Sequence, residues 1–125
     1  MTDEPRRVII ESPYGSPSRL VLRRNVLYAR AAVRDSLLRG EAPIASHLLY
    51  TQDGILQDRD PVERMLGITA GLAWRHVASA TVVYQDLGIT KGMQMGIEAA
   101  MSAGIPIEVR VIGDAWRGHR WWLPR

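Results

Sequence analysis

The stretch "ATVVYQDLGITKGMQMGIEAAMSAGIPIEVR", residues 80–110, decides the fold. It opens on a short run of apolar and β-branched residues closed by turn chemistry, which predicts a buried strand. Thr90 then stands as a candidate N-cap for a helix reaching Gly104. Met93, Ile97, Ala100, Met101 and Gly104 form the expected buried stripe of that helix. "IPIEVRVIG" restarts an apolar, β-branched pattern and predicts the next strand. Strand, helix and strand at these lengths form the crossover unit of a parallel sheet.

The remainder of the chain repeats that grammar. "RVII" predicts a buried first strand over 7–11, broken by "SPYGSPS". From Arg23 onward, Val26, Ala29, Val33 and Leu37 recur at helical spacing, with Arg23, Arg30 and Arg34 on the opposite face. Gly40 is placed to end this helix in a left-handed cap. "EAPIASHLLYTQDG" predicts a second strand or extended segment around 42–50. Asp60, Pro61 and Glu63 read as N-cap, first-turn proline and back-reaching acid of a helix running to about Val77. Gly67, Ala70, Gly71 and Ala73 make that helix narrow on one side. The expected fold class is α/β: a single doubly wound, Rossmann-like or flavodoxin-like, mainly parallel sheet of four to five strands flanked by helices. The expected organisation is one domain over 1–113 and a Trp/Arg-rich tail over 114–125.

Composition narrows the function classes. The chain has 125 residues and no cysteine, which excludes disulfides, thiolate metal sites and a cysteine nucleophile. Three scattered histidines make no metal motif, and no cofactor is expected. No run approaches the roughly 20 apolar residues of a membrane span, and the N-terminus lacks a signal-peptide pattern. A soluble, cytoplasmic protein with no membrane partner is expected. Net charge is +3, and Lys91 is the sole lysine. The arginines crowd the first third and read as a solvated helix face. Nucleic-acid binding asks for aromatics interleaved with them. Only "WRGHRWWLPR" at the end has that look, so nucleic acid is not the expected partner.

In a doubly wound sheet, ligands bind beyond the carboxyl ends of the strands. Three loops therefore matter. In the first, Ser12 and Pro13 lead to Tyr14, whose ring could stack on a base or which could simply be a half-buried loop residue. Ser12 and Ser16 offer contacts to phosphate. In the second, His47 is either a ligand contact or a structural hydrogen-bonding residue. In the third, Gly88 and Gly92 allow backbone amides to approach a ligand, with Lys91 and Met93 beside them. Asp86 ends a buried strand and is expected either to face the ligand or to bond its own loop. Glu98 is a candidate nucleophilic carboxylate. Lys91, Gln94 and Glu98 also share one helix side, which a solvated stripe explains equally well.

"VIIESPY", "ASHLLYTQ", "PVERMLGITAGLAW" and "VVYQDLGITKGMQMGIEAAMSAGIPIEVR" together resemble the nucleoside 2-deoxyribosyltransferase-like superfamily, over roughly residues 7–112. The last block and "SHLLYTQ" resemble its uncharacterised, often phage-associated branch. The resemblance implies cleavage of the N-glycosidic bond of a nucleoside or nucleotide through a glutamate that forms a glycosyl-enzyme. It implies an aspartate that engages the base, in the place of Asp86, and a tyrosine that orients the glutamate, in the place of Tyr14. It also implies a small nucleotide or nucleoside ligand and a homo-oligomer. The family pattern counts back from Ala100, Gly104 and Pro106 to Gly96 for the glutamate. Glu98 stands two residues on, about 200° around a helix. Two readings follow: an N-glycosidase or deoxyribosyltransferase with Glu98 or another acid, or a non-catalytic module that senses or sequesters a nucleotide.

Overall fold

Val8, Ile9 and Ile10 are all buried, which only a central strand covered on both faces achieves. A computed structural model describes residues 4–118, and there β1 (Arg7–Glu11) lies inside a four-stranded sheet. The chain continues through α1 (Arg19–Leu38), β2 (Ala42–Ile44), α2 (Ser46–Leu49), α3 (Pro61–Ala73), a 3₁₀ turn (Trp74–His76), β3 (Ala80–Tyr84), α4 (Lys91–Ser102), β4 (Ile107–Arg110) and α5 (Ala115–Gly118). The strand order is β2-β1-β3-β4 and every pairing is parallel. The α/β class is as the pattern predicts, with four strands.

Strand alternation sorts the side chains onto two faces. Val8 and Ile10 of β1, and Ala80, Val82 and Tyr84 of β3, share one core with Tyr28, Ala31 and Ala32 of α1. Trp116 joins this core, its ring edge-on to Tyr28 at 5.4 Å between centroids. The start of the expected tail thus packs against the chain's own sheet. Trp121 and Trp122 lie outside the described residues. The alternate positions Ile9, Glu11 and Thr81 face α4, whose buried residues are Met93, Gly96 and Ala100.

Several expectations shift in detail. The α1 helix begins at Arg19, capped by the Ser18 hydroxyl, rather than near Arg23. Its buried side runs through Asn25, Tyr28, Ala29, Ala32 and Ser36, while Leu37 is exposed. Asn25 and Ser36 can be interior because both are satisfied: Asn25 donates to the Tyr14 carbonyl at 2.7 Å and Ser36 to Glu41 at 2.8 Å. Gly40 does take the left-handed conformation, φ 83°, and the Glu41 amide bonds back to the Ser36 carbonyl. The segment after Ile44 is not extended; it coils into α2, its amides returning to the Ala45 and Ser46 carbonyls. Asp60 caps α3 as expected, but the Glu63 carboxylate takes the Gln57 amide instead of reaching back to the cap. In α4, Met101 is 67% exposed and Gly96 is buried in its stead.

Candidate functional site

A cavity of about 860 Å³ opens on the α4 face at the carboxyl end of β1. This is the volume range of pockets that take small organic ligands, roughly 300–1,000 Å³. Its floor is Ile9, Glu11 and Thr81. One wall is the start and inner side of α4, from Thr90 to Ala100. The opposite wall is α2, α3 and the 3₁₀ turn that follows, through Ser46, His47, Arg64, Ile68, Gly71 and Arg75. The loop from Ser12 to Pro17 and the residues Asp58 and Arg59 complete the rim.

Local sequence explains each wall. Pro13, fully buried, fixes the chain as it leaves β1, and Ser12 and Tyr14 flank it. Gly71 is the only buried residue of α3; a methyl group there would run into the Ser46 side chain, so the two helices sit backbone-close. Thr90 caps α4 by accepting the Met93 amide at 3.3 Å. That capped helix start holds Lys91, Gly92 and Met93 against the cavity.

Ser12 and His47 meet inside the cavity, with Oγ and Nε2 at 2.7 Å. Tyr14 stands edge-on to the His47 ring, centroids 6.2 Å apart. Burial pushes the imidazole down to about 4, so His47 is neutral at physiological pH and its Nε2 bond to Ser12 is one between neutral groups. Arg64 is partnered by Asp58 at 3.1 Å, and Arg75 donates to the Leu72 carbonyl.

Glu11 is the residue that the pattern of the sequence does not single out. It ends β1 on the cavity side, and its carboxyl fills the space beside Gly96. Any side chain at position 96 would overlap that carboxyl. Among the described residues no hydrogen bond or ion pair reaches it. Burial alone pushes its carboxyl up to about 8. Two signals mark it in retrospect: it shares strand parity with Ile9, and Gly96 shares the inner stripe of α4 with Met93 and Ala100.

Of the candidates from sequence, Ser12, Tyr14, His47, Lys91, Gly92 and Met93 come together on the cavity. Pro13 lies behind its wall. Gly88 has φ 90° and shapes the turn after β3 without lining the cavity. Asp86 is on the α1 side of the sheet, outside the cavity. It accepts from the Tyr28 hydroxyl at 2.5 Å and from the amides of Ile112 and Gly113 at 2.9 and 2.8 Å. Burial pushes its carboxyl up, and these donors outweigh that and hold it below the usual aspartate range. Glu98 is exposed on α4, at 3.5 Å from the Gln94 amide nitrogen, and does not line the cavity. No His, Cys, Asp or Glu cluster suited to a metal ion occurs among the described residues. No described helix is long and apolar enough to cross a membrane.

The fold is similar to that of a 2-deoxyribosyltransferase from Bacillus psychrosaccharolyticus, a solved structure that is 17% identical in sequence. The TM-score is 0.57, over 84% of this chain and 72% of that one. No curated protein is similar in sequence. A family model described as a domain of unknown function, DUF7768, matches residues 6–110, and the chain belongs to that family.

Proposed function

We propose that the cavity binds a nucleoside or nucleotide and that the protein cleaves the bond between its base and sugar. The observation that carries this reading is the cavity itself: it lies at the carboxyl end of a central parallel strand, in a fold shared with a 2-deoxyribosyltransferase, and combines ring, hydroxyl and cationic groups. Tyr14 and His47 supply flat surfaces for a base. Ser12 and Ser16 supply hydroxyl contacts, and Arg59 and Lys91 on the rim supply positive charge for a phosphate or sugar oxygens. Glu11, desolvated on the cavity floor and unpartnered among the described residues, is the group that favours cleavage over binding alone, because such an acid is costly in a mere receptor.

The test is a thermal-shift screen over nucleosides and nucleoside monophosphates, followed by chromatography for free base. At least one member should raise the melting temperature by mass action and release base. A shift without base release supports a sensing or sequestering module instead. No shift from any of them overturns the ligand class. Self-association belongs to the same proposal, since Val62, Met65 and Leu66 expose an apolar strip on α3. Gel filtration at several concentrations decides it.

A further inference from the structure

We propose that Glu11 is the acid–base catalyst of this cavity, delivering a proton to the leaving base and recovering one from water, with no covalent sugar–enzyme intermediate. This rests on the reading of the cavity as one that takes a base–sugar conjugate. The geometry has three parts. The carboxyl lies at the floor of the cavity, where a ligand inserted between α3 and α4 would end. It is half-buried, open only to the cavity, and touches no donor or cation among the described residues. It occupies a recess that exists only because position 96 carries no side chain.

The charged and titratable groups around the cavity are His47 on α2, Tyr14 on the first loop, Asp58 and Arg59, Arg64 on α3, Arg75 on the 3₁₀ turn after it, and Lys91 on α4. None of them pairs with Glu11. Burial acts alone, and the carboxyl keeps its proton at neutral pH. A protonated carboxyl is a poor nucleophile and a ready donor. The reaction balances as follows. The proton of Glu11 passes to a ring nitrogen of the base. The carbon–nitrogen bond breaks and its electron pair stays on the base. The Glu11 carboxylate then faces a sugar cation. Water adds its oxygen to the anomeric carbon and gives its extra proton to Glu11. Base and free sugar leave, and the acid is restored.

The experiment compares wild type with Glu11→Gln across pH 5–9, on deoxynucleoside monophosphates and the corresponding nucleosides. Wild-type base release should fall as pH rises through about 8, where the donor loses its proton. A nucleophilic carboxylate would give a rate that rises through the same range. Glu11→Gln should lose at least about 100-fold in rate, while the ligand-induced thermal shift stays within a few-fold in apparent affinity. A 2-fluoro sugar analogue should leave the intact mass unchanged. Base release that survives Glu11→Gln, or a trapped sugar adduct, overturns the proposal and leaves the ligand reading standing. A wild type that binds these ligands but releases no base overturns cleavage, and the acid with it.

Discussion

Two glutamates at the strand ends of this sheet, Glu41 buried and Glu11 half-buried on the cavity floor, are treated in opposite ways. Glu41, at the amino end of β2, accepts both arms of the Arg110 guanidinium at 2.7 Å. It also accepts the Ser36 hydroxyl at 2.8 Å and Arg6 at 2.8 Å. Arg110, with Ser36 and Arg6 behind it, outweighs burial and holds its carboxyl down to about 2. Glu11, at the carboxyl end of β1, has none of this and is pushed the other way. Loss of solvent raises both carboxyls; only Glu41 has donors that reverse it. An acid fully used by its neighbours holds the fold together. An acid left without partners beside a cavity is available to something that enters.

The comparison can be broken at either end. The largest expected effect is at the satisfied end: Arg110→Met removes the main partner of a buried charge and should cost about 3–5 kcal/mol in urea unfolding at pH 7. A loss below 1 kcal/mol would mean that Glu41 is not held as the geometry says.

Glu11→Gln should act in the opposite direction. The folded carboxyl sits near 8, above the 4.5 of an unfolded glutamate. Between those values the unfolded chain releases a proton that the folded chain keeps, so wild type loses stability as pH rises through that window. The glutamine variant escapes the loss. It should match wild type near pH 4 and exceed it by about 2–4 kcal/mol at pH 8. An equal stability of the two at pH 8 would show an ordinary, solvated carboxyl.

Gly96→Ala sharpens the pairing of recess and acid. Its methyl group must displace the Glu11 carboxyl or move α4, at about 1–3 kcal/mol. In a Glu11→Ala background the cost should largely vanish, and the double-mutant cycle reads the coupling. Simple additivity would separate the two residues. Smallest of all is Glu98→Gln, exposed and clear of the cavity, with an expected change within about 0.5 kcal/mol and no change in base release.

Much of this was legible because apolar patterning is a strong signal. The strands 7–11 and 80–84 and the helices after Asp60 and Thr90 follow from it directly. The acids were harder, because their meaning depends on parity rather than on type. Asp86 shares the parity of Val82 and Tyr84, and so turns to the α1 side, where Tyr28 and two backbone amides absorb it. Glu11 shares the parity of Ile9 and turns to the cavity. On α4, the inner stripe passes through Met93, Gly96 and Ala100, which leaves Glu98 outside. A glycine in the middle of such a stripe makes sense only when a side chain from another element is known to need the room. Asn25 and Ser36 illustrate the same limit in α1: a search for apolar spacing skips polar residues whose partners lie far along the chain.

The wall formed by α3 has a consequence of its own. Apart from Gly71, no residue of that helix is fully buried, and Val62, Met65 and Leu66 face outward. A helix anchored by so little, chiefly against α2, opens at a lower free energy than the central strands. Its backbone amides should therefore trade hydrogen for deuterium well before those of β1 and β3. Occupation of the cavity would tie α3 to the floor and slow that trade, so this wall reports a bound ligand even when no bond is cut.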